Sequence, residues 1–99
     1  MRLRKSRLAQ RDIDLIYLRG CDRFGEEAAL AYVEGLLSLF ELLCLHPEMA
    51  RERTEVKPPV RIQPYEAHLV VYRVVDSQLR ISRVLPARSD WARGQFPTA

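Results

Sequence analysis

A chain of 99 residues, 47% apolar and with a formal charge of +3 at pH 7, can bury one core but not two independently stable ones. No run approaches the roughly 18 uninterrupted apolar residues of a membrane span, so no membrane partner is expected. The charged start MRLRKSR leads into no apolar signal-type region, which makes a cytoplasmic address the expectation.

In chain order, residues 1–5 alternate apolar and basic and fit a short edge strand whose charges discourage edge-to-edge association. Ser6 is a plausible N-cap, and from it Ala9, Ile13, Ile16, Tyr17 and Gly20 recur at helical spacing, predicting a first helix that ends near Cys21. Gly25 permits a turn, and Glu26 and Glu27 then stand where the dipole of a new helix favours acids. The second helix carries Ala29, Val33, Leu36, Leu37, Phe40, Leu43 and Cys44 on one stripe and stops at Pro47. Leu39, Leu42 and Leu45 lie outside that stripe, so this helix is either sandwiched or presents an apolar patch to a protein partner.

The proline-bounded stretch 47–59, PEMARERTEVKPP, reads as an exposed loop. Beyond it 60–64, 67–75 and 78–85 read as three strands, rich in β-branched and aromatic residues and separated by turns short enough to make them antiparallel neighbours. The expectation is one α+β domain over 1–99, an N-terminal helical hairpin packed on a small antiparallel sheet. Residues 92–99 are expected to form a loose tail, apart from Trp91 before it and Phe96 within it.

Cys21 and Cys44 fall at opposite ends of the proposed hairpin, on the order of 25 Å apart at about 1.5 Å of rise per residue, so both are expected to be free thiols. Metal-ligand spacing, a glycine-rich phosphate loop and a Ser/His/Asp set are all missing from the sequence, and no cofactor is expected.

Residues 1–50 carry seven basic and eight acidic groups, residues 51–99 nine and five, and fourteen of the sixteen cations are arginine. Arginine forks suit carboxylate or phosphate, although a solvated arginine-rich surface accounts for the same count. Alternation sets Val60 and Ile62 opposite Arg61 and Gln63, and Val70, Tyr72 and Val74 opposite Leu69, Val71 and Arg73. One sheet face should cover the hairpin, and the other should be partly apolar and dotted with arginine, joined by Arg83 and, past the last strand, Arg88. Trp91, near Arg88 and Arg93, is a candidate base-stacking platform or a pin for the tail. Metal-free RNA cleavage would need proton-transfer groups beside those cations, for which His68, Glu66, Tyr65, Tyr72 and His46 are the candidates.

The ordered phrases RLAQRDIDLIYLR, FGEEAALAYVEGL, FELLCLHPEMARER, VRIQPYEAHLVVYRV and RISRVLPARSDW resemble the ParE branch of the RelE/ParE bacterial toxins over nearly all of residues 1–91. The resemblance implies a toxin of a type II toxin–antitoxin pair, neutralised by a ParD-like or similar antitoxin and directed at DNA gyrase. The RelE branch instead cuts messenger RNA on the ribosome. Pro86 stands where many relatives have a histidine, and the lysines and C-terminal tyrosine of the RelE nucleases have no match, whereas Arg61 and Arg83 align with candidate phosphate-contacting positions. That pattern fits a gyrase poison without nuclease activity; a ribosome-dependent nuclease using Arg61, Arg73 and Arg83, and an inactive toxin-fold binding protein, are the alternatives. Candidate target- or antitoxin-binding residues are Arg61, Arg73, Arg83, Arg88, Trp91, Leu39 and Leu42. The basic first strand and the IQPYEAH segment at the strand turn depart from the usual pattern.

Overall fold

A computed structural model of the chain describes residues 1–93; Phe96 and most of the expected 92–99 tail lie outside them. β1 (Arg2–Lys5) leads into α1 (Arg7–Phe24) and α2 (Glu26–Leu45), followed by β2 (Glu52–Arg53), β3 (Val60–Tyr65), β4 (His68–Val75) and β5 (Gln78–Pro86). Trp91–Arg93 form a short 3-10 turn.

The helices begin and end where their capping chemistry dictates. Ser6 Oγ accepts from Ala9 N at 2.9 Å as the N-cap of α1. α1 runs three residues past Cys21 because its end is set by Gly25, whose φ of 92° few side chains tolerate. Gly25 alone separates the two helices, and Gly20 lets them approach, since a Cβ there would come within 3.0 Å of the Ala29 Cβ.

The strands form one five-stranded sheet in the order β1-β5-β4-β3-β2. It is mixed rather than purely antiparallel: β1 pairs parallel with β5, the other neighbours antiparallel. β2 lies inside the segment expected to be loop, held by Glu52 opposite Arg61 and Arg53 opposite Val60. The β4–β5 turn is Asp76–Ser77, both at positive φ, the geometry that matches the twist of a tight hairpin.

One sheet face carries the helices. Ala9, Ile13, Leu36, Phe40 and Leu43 pack there against Val70, Tyr72, Leu79, Ile81 and Val84. Each large apolar side chain buried completely contributes about 1.5–3 kcal/mol. The opposite face holds a smaller cluster of Val56, Val60, Ile62 and Val71, with Leu69, Leu85 and Trp91 packed against it.

α2 is long and apolar enough to cross a membrane by length and composition, with a mean hydropathy of 1.8. In the fold it is a core helix on one side only. Leu30, Leu37, Leu42 and Leu45 stay exposed. Cys21 and Cys44 are free thiols.

At β5 the outer edge has two kinds of partner. β1 covers Gln78 to Ile81 and then ends. Beyond it the start of α1 takes over: Ser6 N donates to Ile81 O at 3.0 Å, Ser6 Oγ to Ser82 O at 2.7 Å, and Val84 N donates to Asp12 Oδ2 at 2.9 Å. A strand edge that would otherwise present unpaired groups is thereby satisfied by two side chains of the helix.

Candidate functional site

The sheet's register sorts the predicted arginines onto different surfaces. Arg61 is paired with Tyr72, a core residue on the helix-bearing face. Its Nη1 donates to Ala50 O at 2.6 Å beneath the loop after α2. Arg73 alternates with Tyr72 and therefore stands on the opposite, outer face. Arg83 follows a bulge in β5, where Val71 faces Arg83 and Tyr72 faces Ile81, leaving Ser82 as the extra residue. The bulge thus sets Arg83 on the same face as Val71, along the part of β5 that β1 does not cover, and from there its Nε and Nη2 donate to Asp12 Oδ2 and Oδ1 at 2.8 and 3.0 Å. These bonds hold its pKa above the ordinary arginine value. Arg61, Arg73 and Arg83 therefore do not form one clamp: Arg83 is tied to Asp12 at a sheet edge, whereas Arg61 and Arg73 line one small polar pocket of about 220 Å³ together with Glu52 and Val60.

Arg88 is exposed beyond β5. Trp91 is half-buried against the outer cluster, and the Arg53 guanidinium lies over its ring at 5.5 Å from the centroid. The ring pins the segment after β5 to the sheet, with one face taken by a cation. Leu39 packs partly against the helix-side core, whereas Leu42 is exposed.

The proton-transfer candidates are dispersed. Tyr72 is fully buried and its hydroxyl donates to Pro47 O at 2.7 Å; burial raises its pKa, offset in part by the Arg61 charge. His68 belongs to the helix-bearing side, with Nδ1 2.7 Å from the Tyr32 hydroxyl and its ring edge-on to Tyr32. Burial lowers its pKa, against the pull of Asp12. Tyr65 donates to Tyr32 O at 3.4 Å, Glu66 sits exposed in the β3–β4 turn, and His46 is the exposed C-cap of α2. None of them shares a face with Arg73 in a way that would place a base and an acid around one phosphate. Among the described residues, no group of three or more His, Cys, Asp or Glu side chains could hold a metal ion.

Two surfaces have the character of binding sites. Between the bend of the hairpin and the β3–β4 turn lies an apolar groove of about 480 Å³, lined by Ile16, Phe24, Ala28, Tyr32 and His68 and bordered in sequence by Arg19 and Arg23. Phe24 is one of the most exposed large apolar residues, at 70%, with Arg23 stacked over its ring. Further along the helices, Leu18, Leu37 and Val33 line a second groove with Lys5 and Asp14. Sequence periodicity pointed to excess apolar surface on α2, but not to the groove, which needs Ala67 and His68 from a distant turn.

The sequence model of the family described as ParE toxin of type II toxin-antitoxin system, parDE, matches residues 3–91. The chain belongs to the ParE toxin family. Its relatives include Toxin ParE3 of Caulobacter vibrioides, 26% identical over 91 residues that make up 92% of this chain and 91% of that protein. Among solved structures, the chromosomal ParDE toxin–antitoxin system from P. aeruginosa superimposes with a TM-score of 0.76 at 26% identity, covering 87% of this chain and 95% of that one. This ParE toxin thus shares its fold with the P. aeruginosa structure over 87% of its length.

Proposed function

We propose that this ParE-family toxin acts in the cytoplasm on DNA gyrase, arresting growth when free, and that a cognate antitoxin of ParD or similar type holds it inactive. The observation that carries the reading is the family match across residues 3–91. It is supported by a helix surface that leaves Leu30, Leu37, Leu42 and Leu45 in solvent, an apolar area that a soluble protein ordinarily keeps for a partner. An antitoxin segment that folds on binding would set apolar side chains into the groove between Ile16, Phe24 and Tyr32 and acidic ones against Arg19 and Arg23. Toxin action on gyrase then proceeds by protein–protein contact, with no proton transfer by this chain.

The dispersal of His68, Tyr72 and Arg83 speaks against the nuclease alternative, because general acid–base cleavage needs its proton donors and acceptors within hydrogen-bond reach of one phosphate. The test is supercoiling and cleavage-complex formation by purified gyrase in the presence of the toxin, beside translated mRNA on ribosomes. Inhibited supercoiling with intact mRNA, reversed by the antitoxin, is the expected result. Cleaved mRNA with unaffected gyrase would overturn it.

A further inference from the structure

Given the antitoxin reading above, on which this rests, we infer that His68, which lines the hairpin groove and is held there by Tyr32, selects the antitoxin segment by donating from Nε2 to a carboxylate beside the apolar side chain that fills the groove. The groove exists because small residues meet where the helices approach. A Cβ on Gly20 would lie 3.0 Å from that of Ala29, and Ala28 and Ala67 add little bulk beside them. Ile16, Phe24 and Tyr32 complete a space of about 480 Å³, room for a large aliphatic or aromatic side chain.

His68 brings a directed polar group into this apolar lining. Its Nδ1 lies 2.7 Å from the Tyr32 hydroxyl. That hydroxyl has one proton and a second acceptor, Tyr65 O, at 3.4 Å; the shorter separation gives the proton to the imidazole. Ala67 N donates to the same oxygen at 3.3 Å, so Tyr32 is committed on both sides. A neutral imidazole whose Nδ1 accepts carries its own proton on Nε2. No described residue accepts from Nε2, which leaves that donor to a ligand.

The surrounding charges favour a carboxylate over a neutral acceptor. Arg19 and Arg23 line the same groove, and neither has an ion pair among the described residues. No Asp or Glu lines it. Of the acids around His68, Asp12 on α1 is engaged by Arg83 and Val84 N, and Glu66 is exposed in the β3–β4 turn. Tyr32 on α2 and Tyr65 on β3 are neutral at physiological pH, and the β5 residue paired with His68 is Pro86. A purely apolar segment would cover the Nε2 proton and leave it unpaired, a cost that selects against it.

A dependence on pH follows. Burial holds the His68 pKa below 6.5 in the free toxin. A carboxylate on Nε2 favours the imidazolium and raises that value, so antitoxin binding takes up a proton. Affinity should strengthen as pH falls through the pKa of the complex and level off beneath that of the free toxin.

The experiment is an NMR titration of toxin carrying isotope-labelled histidine, from pH 5 to 8, alone and in complex with the cognate antitoxin. His46→Gln, at the exposed end of α2, identifies the His68 signal. Free His68 should show the Nε2–H tautomer, and its pKa should rise by about one unit or more in the complex. By calorimetry the antitoxin should then bind about five- to tenfold more tightly at pH 5 than at pH 8, and His68→Gln should remove that ratio. The NMR measurement keeps the groove intact and so does not depend on the folding of His68→Gln. A bound antitoxin that leaves the His68 pKa unchanged or lowers it, as a neutral or apolar cover would, overturns the inference and leaves the antitoxin reading standing. The Nδ1–H tautomer in the free toxin overturns it as well, and failure of the antitoxin to bind overturns both.

Discussion

Replacing Asp12 with alanine removes the carboxylate that closes the far edge of β5. Asp12 accepts three hydrogen bonds, from Arg83 Nε at 2.8 Å, Arg83 Nη2 at 3.0 Å and Val84 N at 2.9 Å. A hydrogen bond to a charged group contributes about 1.5–3 kcal/mol, and a buried donor left unpaired costs about 1–3 kcal/mol. Solvent reduces both effects here, since the Arg83 side chain is 28% exposed and that of Asp12 13%, so water recovers part of the guanidinium's loss. The expected destabilisation is therefore about 2–3 kcal/mol, below the roughly 3–5 kcal/mol for breaking a fully buried pair. At about 4–8 °C per kcal/mol for a chain of this size, Tm should fall by roughly 10–20 °C. Arg83→Met keeps the Asp12–Val84 bond and should cost only about 1 kcal/mol. Urea unfolding of both single variants and the double variant, followed by far-UV circular dichroism, completes the cycle. A loss under about 0.5 kcal/mol for Asp12→Ala, or strict additivity in the double variant, would refute the edge-closing role.

Ser6→Ala removes both the α1 cap and the bond to Ser82 O, and should cost about 1–2 kcal/mol, measured by the same unfolding curves. His68, whose pKa burial lowers from the ordinary value of 6.5, stays neutral in the folded chain while the unfolded chain takes up a proton. Stability should thus fall as pH drops through 6.5 towards the lower folded value and level off beneath it, and His68→Gln should flatten that part of a pH series of Tm values. Leu42→Ser/Leu45→Ser alters two exposed leucines of α2 and should leave stability within about 0.5 kcal/mol. The same double variant should weaken antitoxin capture at least tenfold by calorimetry; undiminished affinity would place the antitoxin elsewhere.

The helices and four of the strands, β1 and β3 to β5, were legible because their signals are local. Apolar spacing, the Ser6 cap, Gly25, Pro47 and the Asp76–Ser77 turn each act within a few residues. β2 was not legible, since two polar residues held by pairing to Val60 and Arg61 have no periodicity of their own. Nor was the parallel pairing of β1, whose partner lies at the other end of the chain. The arginines show the same division. Alternation within a strand correctly set Arg61 opposite Ile62 and Arg73 opposite Tyr72, but only cross-strand register reveals that Arg61 shares Tyr72's face. Arg83 stands opposite Val71, but its pairing with Asp12 of α1 is a contact that strand alternation cannot show.

The Ser6–Ser82 hydrogen bond joins groups 76 residues apart, and β1, the first strand in the chain, is completed by β5, the last. Contacts of such sequence separation form late, because the loop entropy between them must be overcome first. During synthesis the α-hairpin emerges with its own local contacts available, while β1 waits for almost the whole chain before it has anything to pair with. A partner that captures the nascent toxin therefore meets the leucine-bearing helices first and the finished sheet last.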